Sequence, residues 1–135
     1  MVRTTTRPTF RNQLLLSLAK ADLDLISPVL TLLALPLRKS LQMPGAVIAD
    51  VYFVENGIVS VVTVATKDAK RVEAGLFGRG GVTGIEIILA NDRSPHDVYM
   101  QVAGNGYRLR AAELAKAMAA SETFADRCFA SPAAS

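Results

Sequence analysis

The residues of this 135-residue chain that could do chemistry concentrate in Gly78-Arg79-Gly80-Gly81-Val82-Thr83-Gly84-Ile85-Glu86-Ile87-Ile88, followed by Asn91-Asp92-Arg93-Ser94. Glycines let a backbone approach a ligand closely and take positive φ, and amides opening a short helix after Gly84 would face an anion. Arg93 would offer a bidentate charge to a phosphate. In outline this is a phosphate cradle. The same residues also suit tight β-turns with Arg93 as a solvated surface charge, and glycines alone do not separate the two readings. The common nucleotide motifs do not apply. No Gly-Lys-Ser/Thr follows the glycines, and the strand-to-helix spacing of a dinucleotide fingerprint is missing.

The other reactive side chains read structurally. His96, the single histidine, lies near Arg93 and Asp97 with no serine or cysteine nucleophile motif beside it, and reads as an exposed loop residue. Asp22 and Asp24 are expected at a helix cap, and Asp92 and Asp97 beside a turn. The single Cys128 cannot close an internal disulfide and, in Arg127-Cys128-Phe129, reads as a small packing residue. One histidine and one cysteine cannot assemble a zinc, haem-thiolate or iron–sulfur ligand set. No catalytic residue, metal or cofactor is assigned, and the chain reads as a non-enzyme.

The elements that must position the glycine-rich stretch follow from periodicity. Met1 to Thr9 is Thr- and Arg-rich without apolar spacing and reads as a loose lead-in, with the fold beginning at Phe10. From there to Leu33 the apolar residues Leu14, Leu15, Leu18, Leu23, Leu25, Ile26, Val29, Leu30 and Leu33 recur at helical spacing. Breaks around Ala21-Asp22 and Ser27-Pro28 predict two short helices capping the core. Between Leu35 and Tyr107 turn signals recur at Pro44-Gly45, Asn56-Gly57, Lys67-Asp68, Gly78 to Gly81, Asn91-Asp92 and Gly104-Asn105-Gly106, a rhythm of antiparallel β structure. Val51 to Val54 and Ile58 to Val64 flank Asn56-Gly57, the strongest short-range signal for a hairpin. Arg110 to Ala120 is Ala-rich and predicts a helix. Ser121 is placed to cap a further turn toward Phe124. The order is helix, β-roll, helix: a mainly β domain over 10–130, with 131–135 a fraying tail.

Composition bounds the function. Half the residues are hydrophobic, enough for one buried core, and 20% are charged without long like-charge blocks. The net charge of +3 permits an anionic partner without demanding one. Apolar stretches at Leu14 to Leu18 and Val29 to Leu37, the latter interrupted by Pro36, fall short of the ~20 residues of a membrane span. Arg3, Arg7 and Arg11 precede a short Leu run, but no small-residue cleavage pattern follows, so a cytoplasmic protein is expected.

Taken together, Met43-Pro44-Gly45, Val51-Tyr52-Phe53-Val54-Glu55-Asn56-Gly57-Ile58-Val59-Ser60-Val61, Glu73-Ala74-Gly75-Leu76-Phe77-Gly78-Arg79-Gly80-Gly81 and Arg93-Ser94, preceded by two short helices, resemble the effector domain of the Crp/Fnr family over about Asn12 to Met118. The resemblance implies a jelly-roll-like β-roll of the cyclic-nucleotide-binding type, with a phosphate-binding cassette between two strands. On that pattern Gly84 is similar to the cassette glycine, Arg93 to the arginine that pairs with a cyclic phosphate, and Ser94 to the hydroxyl residue beside it. Ile85 stands where cyclic-AMP binders usually carry the glutamate that holds the ribose, and Glu86 follows one residue, or ~100° of helical rotation, later. The ligand-contacting set is thus Gly84, Ile85, Glu86, Arg93 and Ser94.

What the resemblance implies about function is a sensor of a small anionic effector, cyclic AMP or another cyclic nucleotide. Effector contacts would bias the arrangement of the C-terminal helices for a transcription-regulating partner domain to read. Members of the family continue into a helix-turn-helix; these residues offer no recognition helix and no basic stripe, so direct DNA binding is not expected of them. The contrasting reading is a protein-interaction or dimerisation module on the same roll that has lost nucleotide binding, motivated by Ile85. A metal-dependent enzyme on a cupin-like roll is disfavoured by the single histidine. Leu114, Met118, Phe124 and Phe129 either form a homodimer surface on the C-terminal helices or pack back on the roll.

Overall fold

The computed structural model describes residues 10–64, 71–79, 81–84 and 96–130. The lead-in, the tail and the Lys67-Asp68 and Asn91-Asp92 turns lie outside the described residues. The chain enters through two short helices, α1 (Gln13–Ser17) and α2 (Lys20–Ile26), and a 3-10 turn at Ser27–Val29. The second break falls at Ser27-Pro28 as expected. The first falls at Leu18-Ala19 rather than Ala21-Asp22, because Leu18 ends α1 in an extended conformation with its N–H returned to the Leu15 carbonyl. Asp22 therefore sits in the first turn of α2, where the helix dipole favours a carboxylate.

Among the described residues five strands follow: β1 (Thr31–Leu35), β2 (Ser40–Gln42), β3 (Asp50–Val64), β4 (Arg71–Phe77) and β5 (His96–Arg110). They form one antiparallel sheet ordered β1-β5-β3-β4, with β2 also paired to β5. The alternation of side chains along a strand sends Val51, Phe53 and Leu109 to one face and Tyr52, Val54, Val59, Val61, Val98 and Met100 to the other. Each face carries its own core. The first packs against Leu14, Leu15, Leu18, Leu23 and Ile26 of the entering helices, and Phe10 sets its ring edge-on to Tyr107 at 5.1 Å. The second is enclosed where the sheet curls over on Leu35 and Leu41. Burying an aromatic or aliphatic side chain of this size contributes roughly 1.5–3 kcal/mol, so these two clusters supply most of the drive to fold.

Asn56-Gly57 does not turn the chain. It lies inside the 15-residue β3, and Gly104-Asn105-Gly106 lies inside the equally long β5. The two strands remain paired and bend together: Asn56 faces Asn105, its Nδ2 donating to Asn105 Oδ1 at 2.7 Å, and the register shifts on both sides of this pair. Gly57 takes φ +96°. The conformation an Asn-Gly hairpin would use thus serves a bulge, because β5 is already alongside and no second arm folds back.

After β5 the Ala-rich segment forms α3 (Ala111–Ala120), followed by α4 (Glu122–Ala130). Ser121 caps α4 as expected, its Oγ accepting from the Phe124 N–H at 3.2 Å. Leu114 and Phe124 are fully buried and Met118 packs beside them, so these three pack back on the roll. The Phe129 side chain lies outside the described residues. Cys128 is buried as expected, and burial, with the nearby Asp22 carboxylate, pushes its thiol up to about 12. It is a packing residue.

Candidate functional site

The glycine-rich segment is fixed from two sides. Toward the sheet, Val82 bridges Phe53, and the Val54 N–H donates to the Gly81 carbonyl at 3.3 Å. The Thr83 N–H donates to the Tyr52 carbonyl at 3.1 Å, and the Tyr52 N–H donates to Thr83 Oγ1 at 3.0 Å. Residues 81–83 thus run along β3 as an added ladder, with Val82 fully buried. Toward the entering helix, the Gln13 N–H reaches the Arg79 carbonyl at 2.8 Å. The amide of Asn12 spans the gap, its Nδ2 donating to both Val54 O at 2.9 Å and Gly81 O at 2.8 Å.

Asn12 is a joint made by one buried side chain. Its Oδ1 accepts from the Leu14 and Leu15 N–H groups at 3.0 and 3.2 Å, capping α1. Its own N–H, with that of Arg11, is taken by the buried carboxylate of Glu55 at 2.8 and 2.9 Å. Asn12 thus uses both amide donors and the carbonyl oxygen, and a single residue ties α1, β3 and the glycine segment together.

Gly84 ends this run. It is buried and adopts φ +75°, in the left-handed region, and a Cβ there would stand 3.0 Å from Gln42 Oε1 and 3.1 Å from Ile48 Cδ1. Only glycine fits both conditions. Gly84→Ala is expected to cost about 2 kcal/mol or more, from a left-handed penalty of roughly 1–2 kcal/mol plus crowding. A urea midpoint unchanged from wild type would show that this backbone can relax.

Gln42 and Ile48 also line a cavity of about 270 Å³ with Ser40, Met43, Asp50 and Tyr52. Tyr52 lies opposite Arg108 in the β3–β5 register. Burial raises its phenol above the usual value, the Asp50 carboxylate adds to this, and Arg108 opposes it. The cavity beside Gly84 is therefore mixed, with Leu41, Met43, Val47 and Ile48 beside the polar Ser40, Gln42, Asp50 and Tyr52.

Of the residues expected to contact a ligand, Gly84 is placed as described, while Ile85, Glu86, Arg93 and Ser94 lie outside the described residues. His96 opens β5 rather than a loop, with Nδ1 3.1 Å from Thr63 Oγ1, because β5 begins there and pairs with the end of β3. Asp97 likewise belongs to β5 and forms an ion pair with Arg71 of β4 at 2.8 Å. Asp24 pairs with Lys20 one helical turn away at 3.0 Å. Among the described residues no cluster of three or more potential metal ligands occurs, and no helix is long and apolar enough to cross a membrane. Sequence reading missed Asn12, Glu55, Gln42, Tyr52 and Thr83. Asn12 carried a readable signal, an N-cap residue directly before an apolar helix. The others act across 30 or more residues, and nothing local marks them.

Asp22 does not cap a helix of its own. Its carboxylate accepts from the hydroxyls of Ser121 and of Thr123, the latter at 2.6 Å. The Ser121 and then the Thr123 bond hold its pKa below the ordinary 3.8, against the opposing effect of burial. A lowered folded-state pKa means that this stabilisation is fully present above 3.8 and is lost as pH falls through the lowered value. Thermal midpoints followed from neutral pH into acid are expected to fall less steeply below 3.8 in Asp22→Asn than in wild type. Parallel curves would assign the acid limb to other carboxylates.

No protein-family model matches the sequence, and no match is found among curated proteins. Solved structures do match. The catabolite activator protein of Thermus thermophilus superposes with a TM-score of 0.73 at 17% identity, over 87% of this chain and 55% of its own. The regulatory subunit of a cAMP-independent protein kinase A from Trypanosoma brucei gives 0.74 at 17% identity, over 90% and 44%. The regulatory domain of Toxoplasma gondii protein kinase A, co-crystallised with cAMP, gives 0.68 at 18% identity, over 76% and 39%. The chain spans about half the length of these structures or less. At such identities the likeness is one of fold: a mainly antiparallel β-roll with flanking helices, of the kind found in cyclic-nucleotide-binding domains.

Proposed function

We propose that this chain is a non-catalytic sensing domain whose roll holds a small anionic effector, a cyclic nucleotide being the first candidate, in a cassette beginning at Gly84. The observation that carries this reading is Gly84 itself: a buried, left-handed glycine clamped against Gln42 and Ile48 at the end of a segment laddered to β3. A backbone held this tightly is pre-organised, which lowers the ordering cost of binding. Ile85, Glu86, Arg93 and Ser94 are the proposed contacts, with Arg93 meeting the phosphate. The occurrence of the same roll in a cAMP-bound kinase regulatory domain supports the ligand class.

In this reading the effector shifts the arrangement of the C-terminal helices, and a partner domain of a cytoplasmic transcription regulator reads the shift. A homodimer through α3 and α4 belongs to the same proposal. It must use their outward faces, since Leu114 and Phe124 are already buried within one chain. The second reading, an interaction module without nucleotide binding, is favoured by Ile85 and by the occurrence of this roll in a cAMP-independent regulatory subunit.

Calorimetric titration with cyclic AMP and cyclic GMP, on wild type and on Arg93→Ala, separates the two. The expected result is saturable binding to wild type, weakened at least tenfold in the variant, as loss of a charge-assisted bidentate contact predicts. No heat from either nucleotide at millimolar concentration discards the cyclic-nucleotide assignment and favours the interaction module.

A further inference from the structure

The two C-terminal helices meet the entering helices through apolar side chains: Leu114, Ala117, Phe124 and Cys128 on one side, Leu14, Leu15, Leu18, Leu23 and Ile26 on the other. Contacts of that kind are non-directional and tolerate sliding. Among the described residues one polar joint crosses the interface. The Asp22 carboxylate of α2, only 4% exposed, takes a hydrogen bond on each oxygen from residues 99 and 101 positions later, Ser121 Oγ on Oδ1 and Thr123 Oγ1 on Oδ2. Ser121 Oγ at the same time accepts the Phe124 N–H, so the hydroxyl that caps α4 is the one bonded to Asp22. The carboxylate thereby sits at the N-terminus of α4, where the helix dipole and two hydroxyl donors compensate its burial.

Ser121 is also the only residue between α3 and α4, and its backbone is extended, with φ −142° and ψ 116°. Two helices joined through one non-helical residue can change their mutual angle by rotation at that residue alone. Beside the joint an open cleft of about 500 Å³ runs between Ser17, Leu18, Ala19 and Asp22 on the entering helices and Thr123, Asp126 and Arg127 on α4. There is room for α4 to shift along the entering helices. Lys20 and Asp24 are paired with one another on α2, which leaves Asp22 as the charged residue of that helix bonded to α4.

We infer that Asp22, Ser121 and Thr123 form a latch on a hinge: the carboxylate holds α4 in its docked position, and releasing it frees α4 to pivot about Ser121 while α3 and the roll stay in place. This deepens the proposed helix rearrangement by naming the joint that moves. Its test contains no ligand, so it stands or fails separately from nucleotide binding.

The test is amide hydrogen exchange followed by mass spectrometry on the full chain, comparing wild type with Asp22→Asn and Thr123→Val. The valine variant is isosteric on a largely exposed residue and removes one latch bond with the fold kept. Exchange in peptides covering α4 is expected to rise about tenfold or more in Asp22→Asn and several-fold in Thr123→Val, with α3 and β5 unchanged. In the double variant, Thr123→Val should add little once Asp22 is replaced, because the two residues share one bond. Unchanged α4 exchange in both variants overturns the latch. So does a rise of equal size in α3 and β5, which would mean that Asp22 contributes only to global stability.

Discussion

Gly104→Ala is expected to cost on the order of 3 kcal/mol or more, against the 5–15 kcal/mol that hold a typical domain folded. A Cβ at this position would overlap the carbonyl group of Asn56 and stand 2.7 Å from the amide nitrogen of Gly57. Both are backbone atoms of β3, so no side chain can rotate away. Relief would require β3 and β5 to separate where their register shifts, beside the buried Val54, Val59 and Met100. Gly75→Ala is the matching control. It also lies in a strand, but nothing stands within 4 Å of the added carbon, so it should be neutral or stabilising by up to roughly 0.5–1 kcal/mol. Urea denaturation of both variants reads the difference. A Gly104→Ala protein as stable as the control would mean that the strands do not cross as closely as described.

Asn12→Ala is expected to cost about 3–4 kcal/mol, from four hydrogen bonds at roughly 1 kcal/mol each: the Val54 and Gly81 carbonyls and two helix amides each lose a partner, and Gly81 O keeps only the longer bond from the Val54 N–H. The informative comparison is Asn12→Asp. Aspartate is as good an N-cap as asparagine, so if capping α1 were the whole role the change would be nearly neutral. Here it would turn a carboxylate oxygen toward the Val54 and Gly81 carbonyls and set a second buried anion near Glu55. We therefore expect Asn12→Asp to be at least as destabilised as Asn12→Ala. Because Asn12 also holds the segment leading to Gly84, both variants should loosen residues 81–84 in hydrogen exchange. Wild-type stability in the aspartate variant would reduce Asn12 to a simple cap.

These variants also mark where sequence stopped informing. The sequence determined the architecture class: apolar residues at helical spacing before Leu33, β-branched runs around Tyr52 and Val61, and alanines after Arg110 are local patterns that few other structures satisfy. Ser121 as a cap, the Pro44-Gly45 turn and the burial of Cys128 were readable for the same reason: each depends on a residue's own chemistry or its nearest neighbours. The glycine segment could be singled out because several glycines close together are costly unless the backbone needs them.

Only the tertiary structure decided what Asn56-Gly57 and Gly104 do. An Asn-Gly pair supplies positive φ to a hairpin or to a bulge alike, and the choice depended on β5, some fifty residues away, lying alongside β3. It likewise decided that Asp22 belongs to Ser121 and Thr123, that Asn12 reaches Gly81, and that Gly84 rests on Gln42 and Ile48. In each case the partners are 36 to 101 residues apart. A polar group's local signal says only that it needs a partner. Which one it receives is settled when burial of the two apolar cores brings distant strands and helices together.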